Sequence, residues 1–510
     1  MTVYNVNLGI GWASSGVEYA QSYRAQSLRK IGVPAKFIFS DLILANNIED
    51  LTSNLDFTDD QIIWLYNFFT DVKIAPSNYS LSQLEKDLQL AKRQVTEKKK
   101  IGKEMHYVIS NEGLTIAARL HDEEEQTIDQ VSYVVNGRMV KRDFYSYVKY
   151  ACEYYNGQKN NAVTVREFYN EDGSVAYVQH LDGPKETFEM ANGDIYYSKN
   201  DLYRAMIKKL QFNKDDFIIL DRMNEDKQLV NGQIIFEECR PAKLVVVVHA
   251  DHYDKHFTDK HRILWNNFYE YQFTHSQYVD SFIVATDAQR DLFLRQEKHY
   301  QNAAPRVDTI PVGNLAKLVK STAPRKTHSL VTASRLAKEK HVDWLVKAVV
   351  EARKQVPDVT LDIYGQGSEY DSLYQLIKSY QADSYIKLMG QHDLSDVYIK
   401  YDAYIAGSTS EGFGLSLLEA VGSGLPMIGF NVPYGNQTFI EDGKNGYLIP
   451  YDEDWPEKDK VEKLRAAVTK LFTDADLEKF GQCSYKIAEP YLTDNVAKKW
   501  GNVLEKLGND

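Results

Sequence analysis

Two carboxylates, Glu411 and Glu419, stand eight positions apart in the stretch STSEGFGLSLLEAVGSG, Ser408 to Gly424. Between them Gly412-Phe413-Gly414 reads as a tight turn and the apolar run after it as a helix. A turn from strand to helix exposes backbone N–H groups at the positive end of the helix dipole, which suits an anionic group such as a pyrophosphate. Glycine belongs there because a Cβ would hold the ligand away. Eight positions are a little over two helical turns, so both acids can face one cleft. A buried carboxylate without a partner is costly, which favours a ligand-binding reading of the pair over plain scaffold.

A second group is cationic. Ala333-Ser334-Arg335-Leu336-Ala337-Lys338-Glu339-Lys340-His341 follows directly on the strand Ser329 to Thr332. Arg335 and Lys340 at a strand end can neutralise an anionic group or negative charge that develops on oxygen, an effect stronger in a water-poor cleft. A third group, His249-Ala250-Asp251-His252, ends the apolar strand Leu244 to Val248. Residues past strand ends line the ligand crevice of an open α/β sheet. His249, His252, His256 and His261 lack metal-ligand spacing, so the cluster is expected to be metal-free. Asp452-Glu453-Asp454 and Asp474-Ala475-Asp476 read as a loop and a helix start, not as a metal triplet after a core strand.

These groups need strands and helices to position them. The segment 2–8 alternates like a strand; Gly9-Ile10-Gly11 with Ser14-Ser15-Gly16 forms a glycine-rich turn into a helix from Val17 to Ile31, and AKFIF is the next strand. That is the opening of a doubly wound sheet, although the turn departs from G-x-G-x-x-G. Beyond Asp41 the alternation breaks down. Leu81, Leu84, Leu88, Ala91 and Val95 recur at helical spacing, and the helix is expected to end in the solvated Lys98-Lys99-Lys100. Then Asn111-Glu112-Gly113, Asn136-Gly137, Asn156-Gly157, Asp172-Gly173, Asp182-Gly183 and Asn192-Gly193 punctuate short alternating segments rich in tyrosine and valine. Such pairs tolerate the positive φ of tight hairpins. An antiparallel meander over about 104–200 is predicted, inserted into the first α/β domain. Its aromatic content and edges suit docking of a partner.

The α/β pattern resumes at Phe217 to Leu220. Thr286-Asp287 should cap a helix, and Thr309-Ile310-Pro311-Val312-Gly313 reads as the linker before a second α/β domain. That domain holds the strand VTLDIY with its Gly365-Gln366-Gly367 turn, the strand Ile386 to Gly390 with Gln391-His392 beyond it, and DAYIAG leading into Glu411. Final helices span about 460 to 507. The expected division is residues 1–50 with 205–318, an insertion at 51–204, a second α/β domain at 319–490, and a helix at 491–510 crossing back.

Composition sets bounds. At 510 residues the chain can build several cores, and 43% hydrophobic residues without an eighteen-residue apolar run read as soluble and globular. The N-terminal stretch lacks the pattern of a signal peptide. Three separated cysteines, Cys152, Cys239 and Cys483, give no disulfide framework, and a reducing cytoplasm is the default expectation. A net charge of −12 argues against a nucleic-acid partner.

The run Glu411-Gly412-Phe413-Gly414-Leu415-Ser416-Leu417-Leu418-Glu419-Ala420, with Gly424-Leu425-Pro426 and Glu441-Asp442-Gly443-Lys444-Asn445-Gly446-Tyr447-Leu448, resembles the E-x7-E region of retaining nucleotide-sugar glycosyltransferases of family four. The fold this implies is α/β GT-B: two Rossmann-like domains facing a cleft, here with the inserted β-meander in the first. The resemblance implies that Glu411 contacts donor-sugar hydroxyls and Glu419 the ribose. Arg335 and Lys340 would hold the departing diphosphate, and His249 would lie beside the donor sugar. Gln391 and His392 would lie where backbone groups pair with uracil. Gly412, Phe413 and Gly414 complete the donor site. Gly16-Val17-Glu18 resembles the family's first helix start, against phosphates or acceptor. The loop Asn431 to Gln437 departs from the family's Pro-Glu version. Transfer is expected to need no metal and no cofactor, and Glu411 as an electrostatic stabiliser requires no covalent bond to the sugar.

Over nearly its whole length, NLGIGWASSGVEYAQSYRAQ and the meander included, the chain is similar to catalytic subunits of the cytoplasmic transferases that begin O-glycosylation of serine-rich-repeat adhesins. That similarity implies UDP-N-acetylglucosamine as donor and Ser/Thr hydroxyls as acceptors. It also implies a catalytically degenerate GT-B subunit docked on the insertion, and a place in the cytoplasm, with peripheral association at the inner face of the membrane. The alternatives are a transferase acting on teichoic-acid polyol phosphate and a non-catalytic GT-B binding subunit; retention of Arg335, Lys340, Glu411 and Glu419 together speaks against the latter.

Overall fold

The computed structural model describes residues 1–12, 16–157, 161–221 and 230–509. Ser14 and Ser15 of the predicted glycine-rich turn lie outside them. The chain forms two compact units, Met1–Ala25 with Val33–Val245, and Gln26–Gly32 with Val246–Asp510.

In the first unit four parallel strands lie side by side in the order Phe217–Leu220, Val3–Asn7, Ala35–Phe39 and Ile62–Trp64. Phe217 to Leu220 is buried along its whole length, as a parallel strand covered on both faces must be. Where Val3–Asn7 ends, Asn7 exchanges side-chain hydrogen bonds with Gln21, and Gln21 and Arg24 both donate to Asp221, the Arg24–Asp221 ion pair at 2.5 Å being buried. A buried ion pair survives because each partner's charge is compensated.

The same unit carries a ten-stranded antiparallel sheet in strict chain order from Glu97–Ile101 to Ile195–Tyr196. All six glycines of the predicted hairpin turns, Gly113, Gly137, Gly157, Gly173, Gly183 and Gly193, have positive φ, so the turn chemistry was legible residue by residue. The helix preceding it was not. It spans only Leu81–Asp87, Gln89 turns left-handed with φ 52°, and Lys98, Lys99 and Lys100 lie on the outermost strand instead of closing a helix. Leu81 and Leu84 nevertheless fill one core with Leu90, Tyr107, Ile116 and Val131, and Leu88 and Val95 pack against it, while Ala91 is exposed; the helical spacing reported most of a shared buried face, not a continuous helix. An edge strand of lysines is a standard guard against pairing with another chain. Here Lys98 and Lys100 are held by Glu85 and Glu123. The sheet is anchored to its host by Arg119 Nη2 to Ala45 O at 2.8 Å and Tyr177 Oη to Tyr66 O at 2.6 Å.

In the second unit Val307–Thr309 pairs in parallel with Ser281–Val284, which neighbours Lys243–Val248; the unit boundary falls within that last strand. Thr286 caps the helix Asp287–Gln296 as its sequence predicts. A parallel six-stranded sheet follows, in the order Ile386–Gly390, Thr360–Tyr364, Lys326–Ala333, Tyr401–Ile405, Met427–Phe430 and Gly446–Ile449. Chain order runs outward in one direction from Lys326–Ala333 and in the other from Tyr401–Ile405, so the crevice between these strands is the topological switch point, where open α/β sheets bind ligands. The C-terminal helix Thr493–Asn509 buries Val496, Trp500 and Leu504, Thr493 donates to Asn314 at 2.8 Å, and Asp494 pairs with Lys30 at 2.6 Å.

Candidate active site at the switch point

The two strands that flank the switch point deliver the two predicted groups. Lys326–Ala333 runs into the segment Ser334 to His341, and Tyr401–Ile405 into Gly407 to Gly414. At their meeting point Lys340 Nζ lies 2.7 Å from Glu411 Oε2, with both side chains mostly buried at 14% and 17% exposure. A charge-assisted bond so shielded from water is stronger than a surface pair.

Backbone contacts hold the pair. The Glu411 N–H donates to Pro433 O at 3.2 Å, and the N–H groups of Tyr434 and Gly435 both donate to Glu411 O at 2.7 Å. Thr409 N–H donates to Glu339 O at 3.2 Å, joining the two segments. The Ser334 to Ala337 turn is clamped by Gly365-Gln366-Gly367: Ser334 N–H donates to Tyr364 O, Leu336 N–H to Gln366 O, and Glu369 N–H to Leu336 O. Gly365 has φ +130°, and a Cβ on it would sit 1.9 Å from Ser334 O.

Gly412 and Gly414 bracket the buried Phe413, and Gly414 has φ +87° at the start of the helix Leu415–Gly422. Glu419 lies on that helix. Tyr398 Oη donates to its Oε2 at 3.0 Å, and its carboxyl is raised to about 7, chiefly by desolvation, with the charge of Asp393 adding. Tyr404 Oη bonds both Ala333 O and Ser416 Oγ at 3.1 Å, tying the end of one strand to this helix.

Other predicted residues are placed as follows. Arg335 is 79% exposed and pairs with Glu339 at 3.3 Å, not with Glu411. Gln391 and His392 are exposed beyond Gly390; His392 Nε2 bonds Met389 O at 2.8 Å and its ring stands edge-on to Tyr364. His249 is half-buried, its N–H donating to Tyr269 Oη at 3.0 Å, and a Cβ on Gly412 would come within 3.1 Å of His249 O, so these two segments touch. Gly16, Val17 and Glu18 begin the helix Gly16–Lys30 in the first unit, with Gly16 exposed and Val17 buried.

The histidine cluster does not converge. His252 is fully buried, donates from Nε2 to Gln296 Oε1 at 2.6 Å, and burial pushes its pKa down to about 4, so the ring is neutral. His256 pairs with Glu453 at the surface and His261 is exposed. Among the described residues no group of three His, Cys, Asp or Glu side chains is gathered as for a metal ion. Asp476 caps the helix Leu477–Ala488, and Asp452 accepts from Asp454 N–H, the roles expected of a helix start and a loop.

Three residues at the site escaped the sequence reading. Asp251 accepts from Ser410 Oγ at 2.8 Å; Tyr434 carries the Glu411 bridge, and its hydroxyl lies 3.4 Å from Nδ1 of the buried His252; Tyr398 supports Glu419. Asp251 lay inside a strand end already noted. Tyr434 lay in the loop that departs from the family pattern. No spacing marks Tyr398.

Comparison with known proteins places these observations. Residues 96–192 match the family described as the GtfA extended beta-sheet domain, and residues 327–474 that described as Glycosyl transferases group 1. A crystal structure described as the pneumococcal O-GlcNAc transferase GtfA in complex with UDP and GlcNAc superposes with a TM-score of 0.91 at 46% identity, covering 100% of this chain and 99% of the other. A structure described as the GtfA/B complex gives 0.94 at 48% identity, with both chains fully covered. Fold and site together therefore define a GT-B glycosyltransferase. A relative from Limosilactobacillus reuteri subsp. suis, a UDP-N-acetylglucosamine–peptide N-acetylglucosaminyltransferase GtfA subunit, is 62% identical over 99% of each chain. The chain belongs to this family of GtfA subunits.

The clamp on Ser334 to Ala337 gives a direct test. Gly365→Ala forces the Cβ into Ser334 O and should displace Arg335 and Lys340 and lower the melting temperature. Gly443→Ala, at φ +70° with nothing within 4 Å, should cost only the backbone strain of about 1–2 kcal/mol. Thermal unfolding and crystal structures of the two variants check this.

Proposed function

We propose that the chain transfers N-acetylglucosamine, with retention, from UDP-N-acetylglucosamine to Ser/Thr hydroxyls of a serine-rich-repeat protein, the first step of its O-glycosylation. The observation that carries this reading is the shielded Lys340–Glu411 pair at the switch point, in a chain 62% identical to a UDP-N-acetylglucosamine–peptide transferase subunit.

In this reading Glu411 receives hydroxyls of the donor sugar, and Lys340 turns to the diphosphate as charge builds on the leaving oxygen. Arg335, exposed at rest, folds in as the second cation. The backbone of Gly412, Phe413 and Gly414 faces the phosphates, Glu419 accepts from the ribose, and uracil pairs with backbone at Gln391 and His392. His249 flanks the sugar, and Gly16, Val17 and Glu18 serve the phosphate or acceptor side. Fixed cations and helix N-termini do what a divalent ion does in other transferases, so no metal is required.

In this reading the domains are 1–50 with 205–318, the insertion 51–204, the nucleotide-sugar domain 319–490 and the returning helix 491–510. The insertion docks a second, catalytically degenerate GT-B subunit, a reading supported by the relative solved as a GtfA/B complex. The enzyme works in the cytoplasm, associated peripherally with the inner face of the membrane. Among the described residues no helix is long and apolar enough to cross one.

Mass spectrometry of a Ser/Thr-rich peptide incubated with the chain, its partner and several UDP-sugars should show addition of N-acetylhexosamine only, unchanged by excess chelator. Modification of a polyol phosphate in place of the peptide would overturn the acceptor. Because Glu419 titrates near 7, the free carboxyl is increasingly protonated below that pH and loses acceptor strength toward ribose. UDP affinity should be level above pH about 7 and fall by up to about tenfold per unit below it; Glu419→Gln should flatten the profile. For docking, hydrogen exchange over 104–200 should slow when the partner is added.

A further inference from the structure

We propose that His341 is a positioning residue for Lys340: its ring, stacked on Trp344, holds the left-handed turn from which the Lys340 ammonium reaches Glu411. The proposal rests on the reading of Lys340 as the cation that meets the departing diphosphate.

His341 closes the short 3-10 turn Lys338–Lys340 and opens the helix Val342–Ala352, with φ +42° and ψ +45°. A left-handed conformation is strained for a residue with a Cβ, and such strain persists only where the surroundings over-determine it. Here they do. The imidazole lies on the Trp344 indole with ring centroids 3.6 Å apart and planes 13° from parallel, and the Trp344 N–H donates to His341 O at 3.0 Å. Trp344 is itself fixed. It is 6% exposed, stands edge-on to Phe430 at 6.0 Å, and has the Lys460 ammonium 5.3 Å from its ring centroid. No side chain caps the helix at His341, so the stacked ring does for this turn what a capping hydrogen bond does elsewhere.

The surroundings of Lys340 show what depends on this turn. Upstream, the Lys340 N–H donates to Ala337 O at 3.0 Å, at the end of the segment that Gly365 and Gly367 clamp. Downstream, His341 alone separates it from the helix. Gly407 lies against both residues, in the segment that leads from the strand Tyr401–Ile405 to Glu411: a Cβ there would come within 2.9 Å of Lys340 O and 2.7 Å of His341 O. The left-handed turn therefore lays two successive carbonyls against the backbone that carries the anion, with the Lys340 ammonium 2.7 Å from Glu411 Oε2. The Lys340 side chain is only 14% exposed, so its stem has little room to absorb a backbone shift by changing rotamer. Burial holds the imidazole below its usual pKa, so at neutral pH it stacks as an uncharged ring and adds no second positive charge beside Lys340. An error of about 1 Å in a reacting group costs up to about 100-fold in rate.

His341→Asn and His341→Gly, in complex with the partner subunit, separate the ring from the turn. Both new residues accept positive φ, so both variants should fold and melt within a few degrees of the wild type; if neither folds, the stack is a folding element and the proposal falls. Crystal structures should show the 338–341 turn relaxed and the Lys340–Glu411 contact lengthened beyond hydrogen-bonding distance. That contact unmoved in both variants overturns the proposal whether or not any donor is turned over. In turnover of UDP-N-acetylglucosamine, kcat should fall by about 10- to 100-fold with KM for the donor changed by less than about threefold, because the charge that Lys340 meets develops as the bond breaks. His341→Ala, which loses the stack and keeps the strain, should lose as much turnover and more stability. Trp344→Leu removes the other face of the stack, and its double variant with His341→Asn should be no slower than Trp344→Leu alone. A wild-type kcat in the His341 variants, or fully multiplicative effects in the double variant, would each overturn the proposal. Failure of the wild-type complex to transfer the sugar would instead count against the function proposed above.

Discussion

The bond between Lys340 and Glu411 is the constraint from which the rest of the C-terminal sheet can be understood. A cation and an anion removed from water must meet at hydrogen-bonding distance or not be there at all. To bring them together, two strands that are seventy-odd positions apart in sequence must be neighbours, and the chain must reverse its direction of winding between them. Tyr401–Ile405 lies beside Lys326–Ala333 for this reason, and the intervening strands Thr360–Tyr364 and Ile386–Gly390 are laid down on the far side. The glycines at 365, 407 and 412 then permit backbones to approach within the space of a missing Cβ.

Around that pair the electrostatics are graded. Glu411 is satisfied by Lys340, whereas Glu419 accepts from the neutral Tyr398 hydroxyl and is pushed up to about 7 by burial. Burial on the helix thus holds the Glu419 carboxyl well above the usual carboxylate range, as a group tuned within a cleft is. The buried His252 is the counterexample: placed three positions after His249, it is neutral and committed to packing and hydrogen bonds.

Much of this was legible from residue types. The E-x7-E stretch, the cations after a strand and the histidine after a buried strand stand where the sheet order demands, and six Asn-Gly, Asp-Gly or Asn-Glu-Gly signals marked real turns because only a few residues accept positive φ. What was not legible depends on contacts remote in sequence. Leu88 and Val95 keep a helical period although the helix stops at Asp87, since the meander offers their side chains the same buried face, whereas Ala91, in the same period, is exposed. Asp251, Tyr398 and Tyr434 earn their places through partners that are 159, 21 and 23 positions away respectively, and Arg335 cannot be told from Lys340 by spacing although one is in solvent and the other shielded.

The clamp of Gly365 and Gly367 on the turn beneath Arg335 separates two kinds of motion. The main chain there is bonded on both sides and has little freedom, while the guanidinium at its tip is bathed in water and held by a single surface partner. Whatever travel Arg335 makes is accordingly a matter of side-chain torsions, which relax in picoseconds to nanoseconds, far faster than the microseconds or more of a moving lid. Rotamers that interchange so quickly are sampled many times over during any slower movement of the backbone, so the position of the guanidinium follows the turn without lag.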